Sequence, residues 1–250
     1  PQIGLLLSLF TLKFDLKAKP DFEARRVLVL LALNKGIQQA QDFLTKAPSH
    51  PLAPRVLFQL GQTYRKPTNE RDKEIGKANY QFELLIEKYP ASEFTDPARY
   101  YSALTSTALK TDSADKTAIL RFRELIDKKG VLANEAAINL CSLLIDRNQQ
   151  ERALGEIVTF LKNENNSQSD QRRFLVLGAD ASNQIGQHQI ALEFYESLLK
   201  LENLPASTQN RAHYISGQAL EKLGKNAQAL ESYFRVINRE FSPETTTSLE

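Results

Sequence analysis

Apolar residues recur at i, i+3, i+4 and i+7 along most of the chain, the spacing that gives a helix one buried face. The pattern comes in paired halves. The last pair runs through Ala212, Ile215, Ala219 and Leu220, breaks at Leu223-Gly224-Lys225-Asn226, and resumes with Ala229, Tyr233 and Val236. The pair before it carries Phe174 and Leu177-Gly178, a break at Ile185-Gly186-Gln187, then Ala191, Tyr195 and Leu198. Earlier come Leu140-Cys141, Leu144, Ala153, Ile157 and Phe160, and earlier still Leu57, Leu60-Gly61, Tyr64, Ala78, Phe82 and Leu85. Stops such as Tyr89-Pro90-Ala91-Ser92 and Leu204-Pro205-Ala206-Ser207 close the second halves, where Pro ends one helix and Ser is placed to cap the next. Small residues at Gly61, Ala103, Cys141, Gly178 and Gly217 recur at steps of 42, 38, 37 and 39 residues. The spacing predicts an all-α chain of about six helix–turn–helix units, over residues 22–50, 54–92, 94–130, 133–166, 170–205 and 207–241. The recurring small residue and the Ala that opens each second helix mark where the paired helices cross closely. The units at 54–92 and 94–130 carry surplus residues between their helices, Lys66-Pro67-Thr68-Asn69-Glu70-Arg71-Asp72 in the first.

Leu-Gly in the first helix, a small residue opening the second, an aromatic four residues on and a closing Pro make each unit resemble the tetratricopeptide repeat, a 34-residue helix–turn–helix. The resemblance covers about residues 22–242. Cys141 and Ala103 depart from it by replacing the Gly, and Gly130 stands where Pro is usual. Leu85-Ile86-Glu87-Lys88-Tyr89-Pro90-Ala91-Ser92 and Pro97-Ala98-Arg99-Tyr100-Tyr101 are similar to the longer repeats of bacterial envelope members. The resemblance implies a right-handed α-α superhelix whose first helices line a concave groove. It also implies which residues face that groove: Arg55, Phe58, Gln62 and Arg65; Tyr100; Ile138 and Ser142; Arg172 and Leu175; and Arg211, Tyr214, Gln218 and Glu221. Arg and aromatic residues are enriched at interface hot spots, and Arg donates to a carboxylate bidentately. The Lys and Asn of the chaperone-binding carboxylate clamp are replaced here by Phe58, Tyr100, Ile138, Leu175 and Tyr214, with Gln62, Leu104, Ser142, Ala179 and Gln218 four residues on. An extended apolar or acidic-aromatic ligand fits such a groove better.

Residues 1–21 complete no unit. Phe10, Leu12, Phe14 and Leu16 alternate with polar residues as in a strand, yet Phe10/Phe14 and Leu12/Leu16 also pair at i, i+4 as in a helix. We read them as the tail helix of a preceding repeat. Residues 243–250 read as a frayed tail without a polar capping helix, which points to truncation or to end-to-end contact between copies. The sequence contains no Met, in keeping with an excised piece of a longer protein.

Composition narrows the function. Ten Gly and ten Pro are too few for a turn-rich sandwich or barrel. Lys plus Arg number 32 against 30 Asp plus Glu, interspersed, so no basic stripe marks a nucleic acid or an anionic membrane surface. The longest apolar run, Val27–Leu33, is far short of a membrane span, and Gly4-Leu5-Leu6-Leu7 lacks the flanks of a signal peptide. A single Cys excludes an intrachain disulfide framework and a Cys-rich zinc site.

Catalytic motifs are absent: no H-E-x-x-H, C-x-x-C or G-x-S-x-G occurs. Gly217 and Gly224-Lys225 have the wrong spacing for a phosphate loop. His50, His188 and His213 are scattered over three units, Cys141 reads as a small buried hydrophobe, and Asn165-Asn166-Ser167 is a bare glycosylation sequon. No catalytic residue, cofactor or metal is expected. The sequence points to a non-enzymatic scaffold that binds a protein or peptide in the groove, cut from a larger bacterial protein of the envelope or periplasm, with the cytoplasm also open. The other reading is a regulatory segment of an enzyme whose catalytic domain lies outside these residues.

Overall fold

The structure, a computed structural model, describes residues 20–67, 74–163 and 166–240. Twelve α-helices and no strand occur among them: α1 Pro20–Ala32, α2 Ile37–Lys46, α3 Ala53–Arg65, α4 Ile75–Lys88, α5 Thr95–Leu109, α6 Asp112–Lys128, α7 Ala133–Asp146, α8 Gln150–Leu161, α9 Gln168–Gln184, α10 His188–Leu199, α11 Ala206–Lys222 and α12 Asn226–Glu240. The alternation over Phe10–Leu16, the tail at 243–250 and Asn165 of the sequon lie outside the described residues.

The chain ends its helices by local means. Gly186 and Gly224 take φ of +76° and +72°, a region that only a residue without a β-carbon enters without strain. Asn34 and Asn148 do the same work at φ 56° and 57°. In all four turns an N–H reaches back five residues to a carbonyl of the ending helix: Lys35 to Leu30, Gln149 to Leu144, Gln187 to Ser182 and Lys225 to Leu220, each at 2.8–2.9 Å. That bond satisfies a carbonyl the helix end would leave unpaired. Two helices start with a side-chain cap, Thr111 accepting from the Ala114 N–H and Ser167 from that of Asp170. Three turns differ from the sequence reading. Phe94, not Ser92, is the cap residue of α5, and the Ser92 hydroxyl instead accepts from the Phe94 N–H at 3.2 Å. Pro205, not Ser207, is the cap residue of α11, and Ser207 lies within the helix. The surplus of the 94–130 unit sits in its 17-residue second helix, because only Lys110 and Thr111 separate α5 from α6.

Backbone packing divides the chain into two compact units between Ala136 and Ala137, a point inside α7. In the first unit, α1 packs on α2 and α3, and consecutive helices pack from α2 through α6. Its core stacks Val27 and Leu31 of α1, Phe43 of α2, Leu57, Leu60 and Tyr64 of α3, and Phe82 and Leu85 of α4. Burying each large side chain contributes about 1.5–3 kcal/mol before conformational entropy is counted.

Charge ties the second half of this unit together. Arg121 of α6 donates to Glu83 of α4 at 3.0 Å and to Glu124 at 2.9 Å, while Arg99 of α5 donates to Glu124 at 3.0 Å and Asp96 at 2.7 Å. Ser102 also donates to Glu83. Burial alone would raise the Glu83 carboxyl, but Arg121 and Ser102 outweigh it and hold the group below its ordinary range.

In the second unit consecutive helices pack from α8 through α12. Phe160 stacks on Phe174 with centroids 5.3 Å apart. Leu175, Ala179, Ala191, Tyr195, Leu198 and Ala212 form one buried cluster, and Leu192, Ala219, Leu220 and Ala229 another. The crossing glycines each receive a ring of the second helix: Phe82 at Gly61, Phe194 at Gly178 and Tyr233 at Gly217. Side-chain rings, rather than the opposing backbone, fill the space. At Gly178 the ring is Phe194, not Tyr195. Tyr195 is buried instead with its hydroxyl donated to Asp180 at 3.0 Å.

Candidate functional site

The first-helix residues marked by their register fall into two groups, one in each unit. In the first unit Arg55 is exposed on α3. Phe58 is half-buried, its ring against those of Phe82, Phe94 and Tyr101 at 5.8, 5.5 and 5.7 Å. Arg65 lies over the Tyr101 ring, 4.4 Å from its centroid, and donates to Gln62 at 2.7 Å. Tyr100 packs edge-on to Tyr101 and Phe122. Phe58 and Tyr100 are thus committed to internal packing, while Arg55 is the outward charge of this face.

In the second unit the structure gathers Ile138, Ser142, Arg172 and Arg211 around one open cleft of about 610 Å³. Its walls come from three first helices: Ile138 and Ser142 from α7, Arg172, Arg173, Val176 and Leu177 from α9, and Ser207, Thr208 and Arg211 from α11. The volume lies within the range of ligand-binding clefts. Successive helical turns bring Arg172 and Val176 to one face of α9, and Thr208 and Arg211 to one face of α11. Arg211 is held by Asp180 at 3.1 Å. The Asp180 carboxylate also accepts from Tyr195, whose hydroxyl is driven well above the ordinary tyrosine range by burial and then by that charge. Arg172 makes no ion pair or hydrogen bond among the described residues. Arg172 also lines a smaller hollow of about 150 Å³, together with Glu202.

The remaining marked residues stand apart from the cleft. Leu175 is 7% exposed and presents little surface. Leu175 instead borders a separate apolar cleft of about 520 Å³ with Val158, Ile190 and Phe194. Tyr214 is 49% exposed on α11 and accepts a hydrogen bond from Gln218 at 3.2 Å. Glu221 accepts from Tyr233 at 2.9 Å, and burial together with that bond pushes the Tyr233 hydroxyl up to about 12. Arg173, Val176, Leu177, Ser207 and Thr208 were not marked by the register. Arg173 and Val176 follow marked positions by one residue, and Ser207 and Thr208 required knowing that α11 starts at Ala206.

The histidines have local roles. His50 accepts from the Leu52 N–H at 3.1 Å and packs edge-on to Phe43. A ring nitrogen of His188 is 2.7 Å from Asn183. Cys141 is fully buried. No group of three or more His, Cys, Asp or Glu side chains suited to a metal ion occurs among the described residues, and no described helix is long and apolar enough to cross a membrane.

The chain is similar to the crystal structure of a tetratricopeptide repeat protein from Parabacteroides merdae, with a TM-score of 0.55 and 16% identity over 89% of this chain and 77% of that one. No protein-family model and no curated protein sequence matches it. The structural likeness establishes a fold of tetratricopeptide-like helix pairs.

Proposed function

We propose that this chain is a non-enzymatic interaction scaffold from a bacterial protein, which holds an extended segment of a partner protein against its first helices. The observation that carries the reading is the cleft shared by α7, α9 and α11, whose walls combine three guanidinium groups with an apolar floor of Ile138, Val176 and Leu177. Repeated helix pairs present such a face without any one pair having to build it. Arg172 and Arg211 supply donors, and exposed Tyr214 supplies a flat ring one turn beyond Arg211.

A site-specific photo-crosslinker tests it. Placed at Thr208 in the cleft, or at Glu196, exposed on α10, the probe is irradiated in lysate of the source cell. The reading expects an adduct of defined mass at Thr208 that weakens in Arg172→Ala and is absent at Glu196. Adducts confined to Glu196, or none at either position, would overturn it.

A further inference from the structure

We infer that the cleft on α7, α9 and α11 takes an acidic peptide, an extended segment whose Asp or Glu carboxylates meet Arg172 and Arg211 while an adjoining apolar side chain lies on Ile138, Val176 and Leu177. This names the ligand chemistry of the scaffold proposed above and rests on that reading.

Charge balance is the first support. Of the nine residues lining the cleft three are Arg and none is Asp or Glu. Asp180 pairs with Arg211 from outside the lining. That pair leaves part of the guanidinium fork to be used: one terminal nitrogen meets Asp180, and Arg carries five N–H donors. Arg172 has no carboxylate partner among the described residues, and a half-buried guanidinium next to apolar walls gains more from a counter-charge than one in open water.

Helix geometry adds to it. The cleft includes Ser207 and Thr208 in the first turn of the 17-residue α11, where the helix dipole favours negative charge; the Thr208 N–H is itself taken by the Pro205 carbonyl at 2.9 Å. The apolar floor separates a peptide from a nucleic acid. Ile138, Val176 and Leu177 are aliphatic and offer no ring for base stacking, and none of the nine lining residues is aromatic. The whole chain carries a net charge of only +2, so a general positive charge of the chain does not account for three Arg and no carboxylate in the lining.

Selection of random dodecapeptides displayed on phage against the full chain, beside Arg172→Glu/Arg211→Glu, tests the assignment. Wild type should enrich peptides with Asp or Glu next to Leu, Ile, Val or Phe. A synthetic copy of one such peptide should bind at least about tenfold more weakly to the double variant, and to Arg172→Ala alone by several-fold. Arg172→Lys, which keeps the charge and loses the fork, should fall between. Affinity should also drop between about 50 and 500 mM salt. Thermal melting of each variant close to that of wild type shows that the loss is local. Enriched peptides without acidic residues, acidic peptides that bind the double variant as tightly as wild type, or displacement by an equimolar single-stranded oligonucleotide would each overturn the assignment and leave the scaffold reading standing. Failure of wild type to enrich any peptide would count against the scaffold reading itself.

Discussion

Gly61 and Phe82 are fitted to each other: a β-carbon on the glycine would lie 2.6 Å from Cε1 of the phenylalanine ring. Phe82 has no room to withdraw, being fully buried and flanked by Phe58 and Tyr101 at 5.8 Å each. The Leu-Gly step of the repeat is therefore a receptor for an aromatic ring, and the same fit recurs between Gly178 and Phe194.

Gly61→Ala should destabilise the first unit by about 1–3 kcal/mol through overpacking. Pairing it with Phe82→Leu should recover part of that loss. Gly155→Ala is the matched control, since nothing lies within 4 Å of its added carbon. It should stabilise α8 by about 0.5–1 kcal/mol, because Ala costs less backbone entropy in a helix. Urea unfolding of the three variants checks the ordering, and equal stabilities for Gly61→Ala and wild type would show that the ring can move.

Phe58 and Tyr214 occupy the same register position and should respond differently. Phe58→Ala removes a ring packed against three others and should cost about 2–4 kcal/mol, short of the loss at a fully buried site. Tyr214→Ala, at 49% exposure, should cost less than about 1 kcal/mol. Phe58→Ala therefore perturbs the fold before it reports on binding, and calorimetric melting of both variants separates the two effects.

Acid should loosen the first unit through Glu83. Its carboxyl titrates below the ordinary 4.5 in the folded chain, so its contribution is complete above that value and is lost as pH falls through the folded one. Asp96, lowered by Lys128 and Arg99 against its own burial, acts with the same sign. Glu83→Gln should flatten the acid limb of a stability–pH curve. A limb as steep as that of wild type would assign the loss to other groups.

Alkali should act on the second unit. The hydroxyls of Tyr195 and Tyr233 titrate above the ordinary 10.0 when folded. Their contribution is complete below pH 10 and is lost as pH rises through the folded values. Phenolate absorbance should thus show these two ionising after the exposed tyrosines, and Tyr195→Phe should remove the later step. Its stability cost should be about 1 kcal/mol, the hydrogen bond to Asp180.

Helices were legible in the sequence because their signal is local: the apolar spacing of Leu57, Leu60 and Tyr64, or Ala212, Ile215 and Ala219, needs no knowledge of neighbours. The turns at Gly186 and Gly224 were legible for the same reason. Those at Asn34 and Asn148 were not, since Asn in the left-handed region looks like any polar residue. The choice between Phe194 and Tyr195 depended on the crossing of two helices, which Ala191, four residues before Tyr195, did not reveal. The shared separation of 16 residues, from Gly178 to Phe194 and from Gly217 to Tyr233, is a signal that could have found the ring. Of the cleft, the register marked Ile138, Ser142, Arg172 and Arg211. It could not mark Ser207 and Thr208, whose place depends on where α11 begins.

The backward hydrogen bonds that end α1, α7, α9 and α11 have a consequence for how such a chain grows. Each stop is written into a few consecutive residues and draws nothing from the next pair. A duplicated stretch of gene arrives with its own punctuation, and the new pair turns back on itself before it has met a neighbour. Length can then drift elsewhere, as in the extended α6, while the hairpin remains the unit of inheritance.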